Sequence, residues 1–592
     1  MGANLSRMSV QPSTSPVSRW LGSWVQEVDG ASLRADLLAA LLAAVLVLPQ
    51  GIAFAALAGL PLAWGLYSAI VPTAIAALAG SSRFVLTGPT NALSLALAAS
   101  LAPLAVAGTA EYLRLALVLT LMIGLIQVGV ALLRLGTLTH FIAPSVLLGF
   151  TTGAAVLIAW HALADLGAWP RFDASALAIG TFTLVCALVL RRLWPRAPVL
   201  LLALVAGSLA GVAAQRWGHL TLHLIGPLPQ AWPEFQLPAL QWADLPRLAT
   251  IALALTLVAL GQSIAIAKAL AQRSGQVLDV NRECLGQGLA NVGGAFFSCF
   301  ASCGSLNRSV PHLQAGARTP LAGVMAAALL LALVALAAPL LAWVPMAAIS
   351  GLLLLVAGSL VDRAAWRELV VLDRSEAAVA AATALAVLLL PLQVAVLAGV
   401  AASLVVYLYR TAHPALRTMG FDSPPLPGTL RPFVVLDGHA GTECPQLKML
   451  RMEGSVWFGA EAHVADALQA LHDQLEPPRH LLIMSKSMNF VDAAGATLWE
   501  RERVRRLAMG GDLYFHRPRP PVMQLWQASG FVQRLGADHL FADKRSAIAS
   551  IVPKLDGGIC ATCQARCFEE CADRPNAASA GSLPAPGAPP AP

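Results

Sequence analysis

The sequence predicts a polytopic α-helical membrane protein built as two inverted halves, followed by a small α/β domain. Three observations carry this expectation. Of 592 residues, 57% are hydrophobic and 12% charged, against about 45–50% and about 25% in soluble domains. Apolar runs near the roughly 20 residues needed to span a bilayer recur as far as Leu408. Two runs at matching places are interrupted by polar residues and glycine, "RFVLTGPTNALSL" and "SCGSLNRSVPHL".

In order, the first half offers Leu37–Leu60, Gly65–Ala79, a broken segment from Arg83 to Leu104, Leu113–Leu133, Phe141–Leu163, Ala174–Val189 and Val199–Ala214. A proline-rich polar loop follows. The second half offers Leu248–Ala269, Leu285–Phe300, a broken segment from Ser302 to Gly316, Leu321–Leu341, Ala347–Leu360, Ala377–Leu390 and Leu392–Leu408. Seven segments in each half is an odd number, so the halves are inverted, and both third segments are broken. With a cytoplasmic N-terminal segment (residues 1–36), most arginines fall inside, among them Arg83, Arg134, Arg191, Arg273, Arg363 and Arg410. That is the positive-inside pattern, expected for a multi-pass protein of the inner membrane. Met1 to Gly30 is polar and lacks the apolar core of a secretory signal. The net charge of +7 is scattered through short loops, which argues against a nucleic-acid partner.

Residues 37–410 thus form the transmembrane domain, and 411–432 read as a linker by their prolines and glycines. From 433 to 555 strand-like runs ("SVWFGA", "HLLIMSKSMNF", "DLYFHRP") alternate with helix-like runs ("EAHVADALQALHDQL", "AGATLWERERVRRLAMGG"). The tail, 556–592, is cysteine-rich and then low-complexity, with disorder expected at its end.

Irregular backbone survives at membrane depth only when buried in protein or lining a cavity. Interrupted segments at corresponding positions point to a transporter's binding site. A half-helix starting at mid-membrane presents its positive N-terminal end and first N–H groups, an anion site. Thr90, Asn91, Ser305, Asn307 and Ser309 could add donors, and Arg308 a permanent cation suited to oxyanions. Arg308 could instead be structural, bonding backbone carbonyls, and Gly88-Pro89 an ordinary kink.

These residues resemble the sulfate permease (SulP) family, which includes the animal multifunctional anion exchangers. The likeness runs from Leu37 to Leu555. It rests on "VLPQGIAFAALAGLPLAWGLYSA", "GSSRFVLTGPTNALSL", "FIAPSVLLGFTTGAAVLI" and "DVNRECLGQGLANVGGAFFSCFASCGSLNRSVPHLQAGARTPLAG". The C-terminal domain resembles a STAS domain, with "FVDAAGATLW" at its Asp-x-x-Gly turn. The resemblance implies fourteen spans, a core domain moving against a gate domain, a homodimer, and an anion held between the third and tenth helices. Carried over by position, the site holds Gln50 and Phe54 of the first helix, Thr90 and Asn91 of the third, and Leu306, Asn307, Arg308 and Ser309 of the tenth. Phe54 could equally be core packing.

There are two departures. Many bacterial relatives carry an acidic coupling residue in the eighth helix, where "ALGQSIAIAKAL" offers Gln262, which cannot titrate. Strong proton coupling is therefore not expected at this position, although the amide oxygen could still be a weak sodium ligand, and exchange or uncoupled flux stays open. Glu283, the nearest acid beyond that span, falls in a cytoplasmic loop by the charge count. The turn Asp492-Ala493-Ala494-Gly495 lacks the phosphorylatable serine of the anti-anti-sigma relatives, so no phosphoserine switch is expected there.

Cys186, Cys299 and Cys303 read as small core residues. Cys560, Cys563, Cys567 and Cys571 are spaced C-x2-C-x3-C-x3-C. Four thiolates can hold zinc or an iron–sulfur cluster; alternatively they are reduced thiols, and no cofactor is required. The chain shows no catalytic triad or P-loop. The leading expectation is thus a secondary transporter of inorganic anions, sulfate first, and not an enzyme. The alternatives are a bicarbonate or dicarboxylate transporter of the same fold, and a non-transporting sensor or scaffold in which the STAS domain engages a cytosolic partner.

Overall fold

The computed structural model describes residues 23–136, 143–166, 173–194, 198–218, 222–224, 232–421, 433–436 and 443–574. The expected features of residues 1–22, of the 422–432 part of the linker and of the tail from 575 onward lie outside the described residues. The chain divides into two compact units, Met1–Leu404 and Val405–Pro592.

The first unit is helical. Its first half comprises α1 (Gly30–Leu57), α2 (Leu62–Ala79), the two-residue strand β1 (Thr87–Gly88), α3 (Asn91–Leu101), α4 (Ala110–Leu132), α5 (Pro144–Asp165), α6 (Ala174–Leu193) and α7 (Val199–Gly218). Its second half comprises α8 (Leu245–Ser274), α9 (Val280–Ala295), β2 (Cys303–Gly304), α10 (Leu306–Gln314), α11 (Leu321–Leu341), α12 (Met346–Leu360), α13 (Arg363–Leu372), α14 (Arg374–Leu389) and α15 (Leu392–Ala412), the last running past the boundary between units. Every apolar segment expected from the sequence holds a helix. Among the described residues, nine helices are long and apolar enough to cross a membrane.

Two differences stand out. Helix α1 begins ahead of Leu37, because Asp29 and Ser32 form a capping box: each side chain accepts from the other's backbone N–H. Helix α13 was not expected. It mixes charged and apolar residues and buries none of its side chains.

The helices interlace into two bundles. Helices α1, α2 and α4 of the first half pack on α8, α9 and α11 of the second, while α5 and α6 pack on α12 and α14. Close approach fixes the first bundle. A Cβ on Gly124 of α4 would meet the Val292 backbone nitrogen at 2.6 Å, and one on Gly288 of α9 would meet that of Val128 at 2.7 Å. Only glycine lets two helices touch backbone to backbone in this way.

The second unit is an α/β sheet in the order β4 (Val434–Val435), β3 (Ala415–Gly420), β5 (Leu447–Glu453), β6 (His480–Met484), β7 (Leu513–His516), β8 (Leu540–Phe541). Strand β3 pairs antiparallel with β4 and β5, and the remaining pairs are parallel. Alternate side chains serve opposite faces. Leu481 and Ile483 meet α16 (Glu461–His472), α17 (Ala493–Ala508), α18 (Pro520–Ala528) and α19 (Phe531–Leu535), with Trp499 and Trp526 fully buried among them. Leu482 and Met484 meet α20 (Lys544–Ile551) and the segment carrying Cys567 and Phe568.

Three expectations are corrected here. The stretch read as linker contains β3, an inner strand of the sheet. The run "SVWFGA" contributes only a bridge from Val456 to Val491; the strand lies upstream, and Gly454 at φ 140° ends it. The cysteine-rich segment from 556 to 574 is not a free tail, because with α20 it covers the second face of the sheet. The Asp492 turn is a helix cap: its carboxylate accepts from Gly495 N and Phe458 N.

Candidate anion site

Pro89 has no N–H and Gly88 no side chain, so the third segment cannot run as one helix. It becomes β1 followed by α3, capped by Thr90, whose hydroxyl accepts from Leu93 N. In the second half, β2 leads into α10 through Ser305 in extended backbone. The two interruptions satisfy each other. Thr87 pairs antiparallel with Gly304, and Gly88 with Cys303. Ser305 N donates to the Leu86 carbonyl at 3.2 Å, and Leu86 N donates to Ser309 Oγ at 2.9 Å. The backbone groups freed by breaking two helices are thus spent on one another, where each unpaired group would cost several kcal/mol. The same pairing draws the N-termini of α3 and α10 to one place: Thr90 Oγ1 lies 3.3 Å from Cys303 Sγ.

The side chains divide sharply. Leu306 is 49% exposed and Asn307 is also exposed, so the first turn of α10 is left uncovered by the rest of the protein. Arg308, one residue on, is 1% exposed. Its Nη2 donates to the Pro89 carbonyl at 2.7 Å, and a Cβ on Gly88 would stand 2.5 Å from its Nη1. A side chain at 88 would therefore displace the guanidinium from its present position. Among the described residues its Nε has no hydrogen-bond partner. The carbonyl-bonding role weighed for Arg308 is the contact present, and the guanidinium charge lies within the ladder's surroundings rather than at its open side. Ser309 is likewise committed, to Leu86 N.

Of the other expected residues, Thr90 and Asn91 are buried, and Asn91 Oδ1 accepts from Ala92 N at 2.8 Å. Phe54 is buried in α1 and Gln50 is half-buried there. Gln262 of α8 touches the ladder: Cys303 Sγ donates to its Oε1 at 3.3 Å.

Supporting residues that sequence reasoning missed frame the ladder. Ser263 Oγ accepts from Gly304 N at 2.8 Å, and Ser68 Oγ accepts from Phe300 N at 2.9 Å. Asn291 closes a two-way pair with the Ser302 backbone and donates to Gln127. Thr73 donates to the Thr87 carbonyl and Gln287 to the Thr87 hydroxyl. Each is a polar residue within an apolar helix, which was the available signal. Glu283 corrects the expectation of a loop acid. It sits in the first turn of α9, 2% exposed, and its carboxylate accepts from Ser81 N, Ser82 N and Gln287 Nε2. It fastens the start of the first broken segment. The four tail cysteines stand elsewhere, in the second unit; among the described residues no three His, Cys, Asp or Glu side chains are grouped to hold a single metal ion.

Comparison with known proteins agrees with this architecture. The sulfate permease family model matches residues 33–170 and 168–383. A "Probable sulfate transporter" of Mycobacterium tuberculosis strain CDC 1551 is 30% identical over 540 residues, 87% of this chain and 95% of the relative. "Probable sulfate transporter 4.2" of Arabidopsis thaliana is 27% identical, over 87% and 80%. Among solved structures, the murine Solute Carrier 26 family member A9 anion transporter, inward-facing, superposes with a TM-score of 0.80 at 18% identity, covering 93% of this chain and 96% of that one. The transmembrane domain of a cyanobacterial bicarbonate transporter gives 0.57 at 24% identity, over 64% and 98%. The structural likenesses show the fold; the family match and the mycobacterial relative show that this multi-pass membrane chain belongs to the sulfate permease family, a family of transporters and not of enzymes.

Proposed function

We propose that the chain is a secondary transporter of sulfate, held between the N-termini of α3 and α10 and moved by alternating access of the first bundle against the second. One observation carries this reading: the pairing of β1 with β2, which brings two half-helix N-termini together beside an exposed first turn. Each terminus contributes about half a positive charge and its free N–H groups. Arg308, met by a carbonyl and not a carboxylate, adds a charge that an incoming anion offsets. Backbone N–H groups of the first turn of α10 are the direct ligands in this reading, and Arg308 sets the field.

The charge asymmetry of the loops supports an inner-membrane orientation with the N-terminus and the second unit cytoplasmic. The sulfate transporters of similar sequence support sulfate. A homodimer and a cytosolic partner of the STAS-like unit belong to the same reading. Gln262 at the ladder supports transport without a titrating carboxylate at that point.

The test is uptake of labelled sulfate by the full chain in proteoliposomes, competed by bicarbonate and by dicarboxylates. Saturable sulfate uptake is expected, with weaker competition by the others. Preferential uptake of bicarbonate or a dicarboxylate would reassign the substrate. A folded protein that neither binds nor moves any of these anions would leave the scaffold reading in its place.

A further inference from the structure

One face of α7 carries a stripe that its neighbours leave open. Leu201, Leu204, Val205, Ser208, Leu209 and Val212 recur at the three- and four-residue steps of a single helix face. Gln215 and Arg216 continue the stripe at the helix end. A different face of the same helix is closed: a Cβ on Gly207 would meet that of Ala348 at 3.1 Å, and one on Gly211 would meet Pro345 at 2.5 Å. The open stripe instead looks across to Val45 and Leu48 of α1 and to Leu333, Leu340 and Trp343 of α11 and the residues after it, around a hollow of about 640 Å³. Helices α1 and α11 belong to the first bundle, whereas α7 packs on α6 and α12 of the second.

The walls decide what can fill this space. Along its length the polar lining side chain is Ser208, whose hydroxyl is spent on the Leu204 carbonyl of its own helix at 2.8 Å. An apolar hollow of this kind stays dry and takes hydrocarbon. Leu201 to Arg216 covers about 22 Å of helix at about 1.5 Å per residue, against about 15 Å for one leaflet of the hydrocarbon core. The hollow is therefore long enough for an acyl chain. Its charge is confined to one end, at Arg216. Among the described residues Arg216 has no carboxylate partner, whereas Arg114, on the same outer side by the charge count, is held by Glu111 and Asp244. In the proposed orientation α7 and α11 both end at the outer face, where Trp217 and Trp343 are 83% and 55% exposed. Tryptophans of that kind sit at the level of the lipid headgroups.

We propose that this hollow seats an anionic phospholipid of the outer leaflet, with its phosphate on Arg216 and an acyl chain along the open stripe of α7. The guanidinium offers a planar fork of N–H donors that suits a phosphate, and the Gln215 amide beside it has N–H donors to add. Free phosphate would use the arginine and leave the apolar hollow unfilled. A hydrocarbon without a charged head would fill the hollow and leave the arginine unused. A phospholipid satisfies both. Snorkelling accounts for an arginine at a helix end, but not for the hollow beside it. The bound lipid touches α1 and α11 on one side and α7 on the other, so it bridges the two bundles. The proposal is independent of the anion site.

The experiment uses the full chain in detergent, mixed with phosphatidylglycerol or phosphatidylcholine that carries a photoreactive acyl chain. After illumination the crosslinked peptides are mapped by mass spectrometry. Phosphatidylglycerol should label the α7 and α11 peptides around the hollow about fivefold more than phosphatidylcholine does, the effect of one basic residue on an anionic lipid. In Arg216→Gln that labelling should fall to the phosphatidylcholine level. Leu209→Trp, which fills the hollow, should cut labelling by both lipids. Because Leu209→Trp could disturb α7, Arg216→Gln, at an exposed residue, is the deciding variant. Excess inorganic phosphate should not displace the lipid. Equal labelling by the two lipids, unchanged phosphatidylglycerol labelling in Arg216→Gln, displacement by inorganic phosphate, or labelling spread evenly over the membrane-facing helices would each overturn the assignment.

Discussion

The two broken segments share a backbone plan and use their side chains in opposite ways. Nearly all of α3 is enclosed, with Ala92, Leu93, Ala96, Leu97 and Leu101 in the apolar core of the first bundle. In α10 only Arg308, Ser309 and His312 are buried, and its first turn is open. Two polar tethers between the segments, from Arg308 to Pro89 and from Leu86 to Ser309, use side chains of the second segment. Inverted repetition thus supplies a symmetric ladder, and the sequence then makes one half a wall and the other an arm that reaches across to it.

Arg308→Ala should show the largest effect, since it removes both the buried charge and the tether to Pro89. Sulfate affinity should weaken by about tenfold or more, or about 1.4 kcal/mol, and the unfolding temperature should fall. Arg308→Lys, which keeps a charge but not the planar fork, should be milder in affinity. Equilibrium binding and thermal unfolding on the same samples separate the two roles. Lost stability with unchanged affinity would reduce the arginine to a clamp.

Next comes the Ser309→Ala against Thr90→Ala pair. Ser309→Ala leaves the buried Leu86 N–H unpaired, at about 1–3 kcal/mol. Thr90→Ala loses a helix cap, at about 1 kcal/mol. Denaturation of the two variants should rank them in that order, and the reverse order would break the wall-and-arm distinction.

Gln262→Glu sharpens the comparison from the side of α8, which touches β2 through Cys303 and Ser263. At low pH the new carboxyl is neutral and resembles the glutamine. As pH rises it ionises and repels the anion. Initial uptake at zero membrane potential should therefore fall with rising pH in the variant while staying nearly flat in the unmodified protein. Steep acid activation of the unmodified protein would mean that another group carries a proton.

The smallest effect serves as a control outside the ladder. Burial holds His516 down at about 4 and also lowers His480 and His472 in the second unit. Unfolded imidazoles take a proton near 6.5. Between about 6.5 and 4 the unfolded state therefore binds more protons, and this unit should lose stability as pH falls through that window. Hydrogen-exchange protection in β5, β6 and β7, corrected for intrinsic rates, should drop while the anion affinity of the membrane unit holds.

The half-helices were readable because Gly88-Pro89 and the polar run after Cys303 break helical periodicity locally. Which face of α10 stays uncovered was not, because successive residues of a helix point about 100° apart and its packing partners are remote in sequence. Arg308 and Asn307 differ in burial by one step of that rotation. The role of Glu283 was missed because charge counting places an acid near a membrane edge without showing what encloses it. The strand "LKMLRME" was passed over because its lysine, arginine and glutamate mimic a solvated face, whereas Leu447, Met449, Leu450 and Met452 are all buried. Nothing local joins Cys444 to the later cysteines; the fold brings them together through hydrogen bonds of Gln446 to Asp556 and Cys560.

Thr90 and Cys303 are 213 residues apart in the chain. Ribosomes deliver about 5–20 residues per second, so the first segment enters the bilayer roughly 10 to 40 s before its partner exists. Through that interval the Leu86 N–H and the Pro89 carbonyl await the donors and acceptors of the second segment. The site therefore cannot close until just over half of the 592 residues have been made, and a nascent chain arrested before Ser309 leaves the Leu86 N–H without its acceptor.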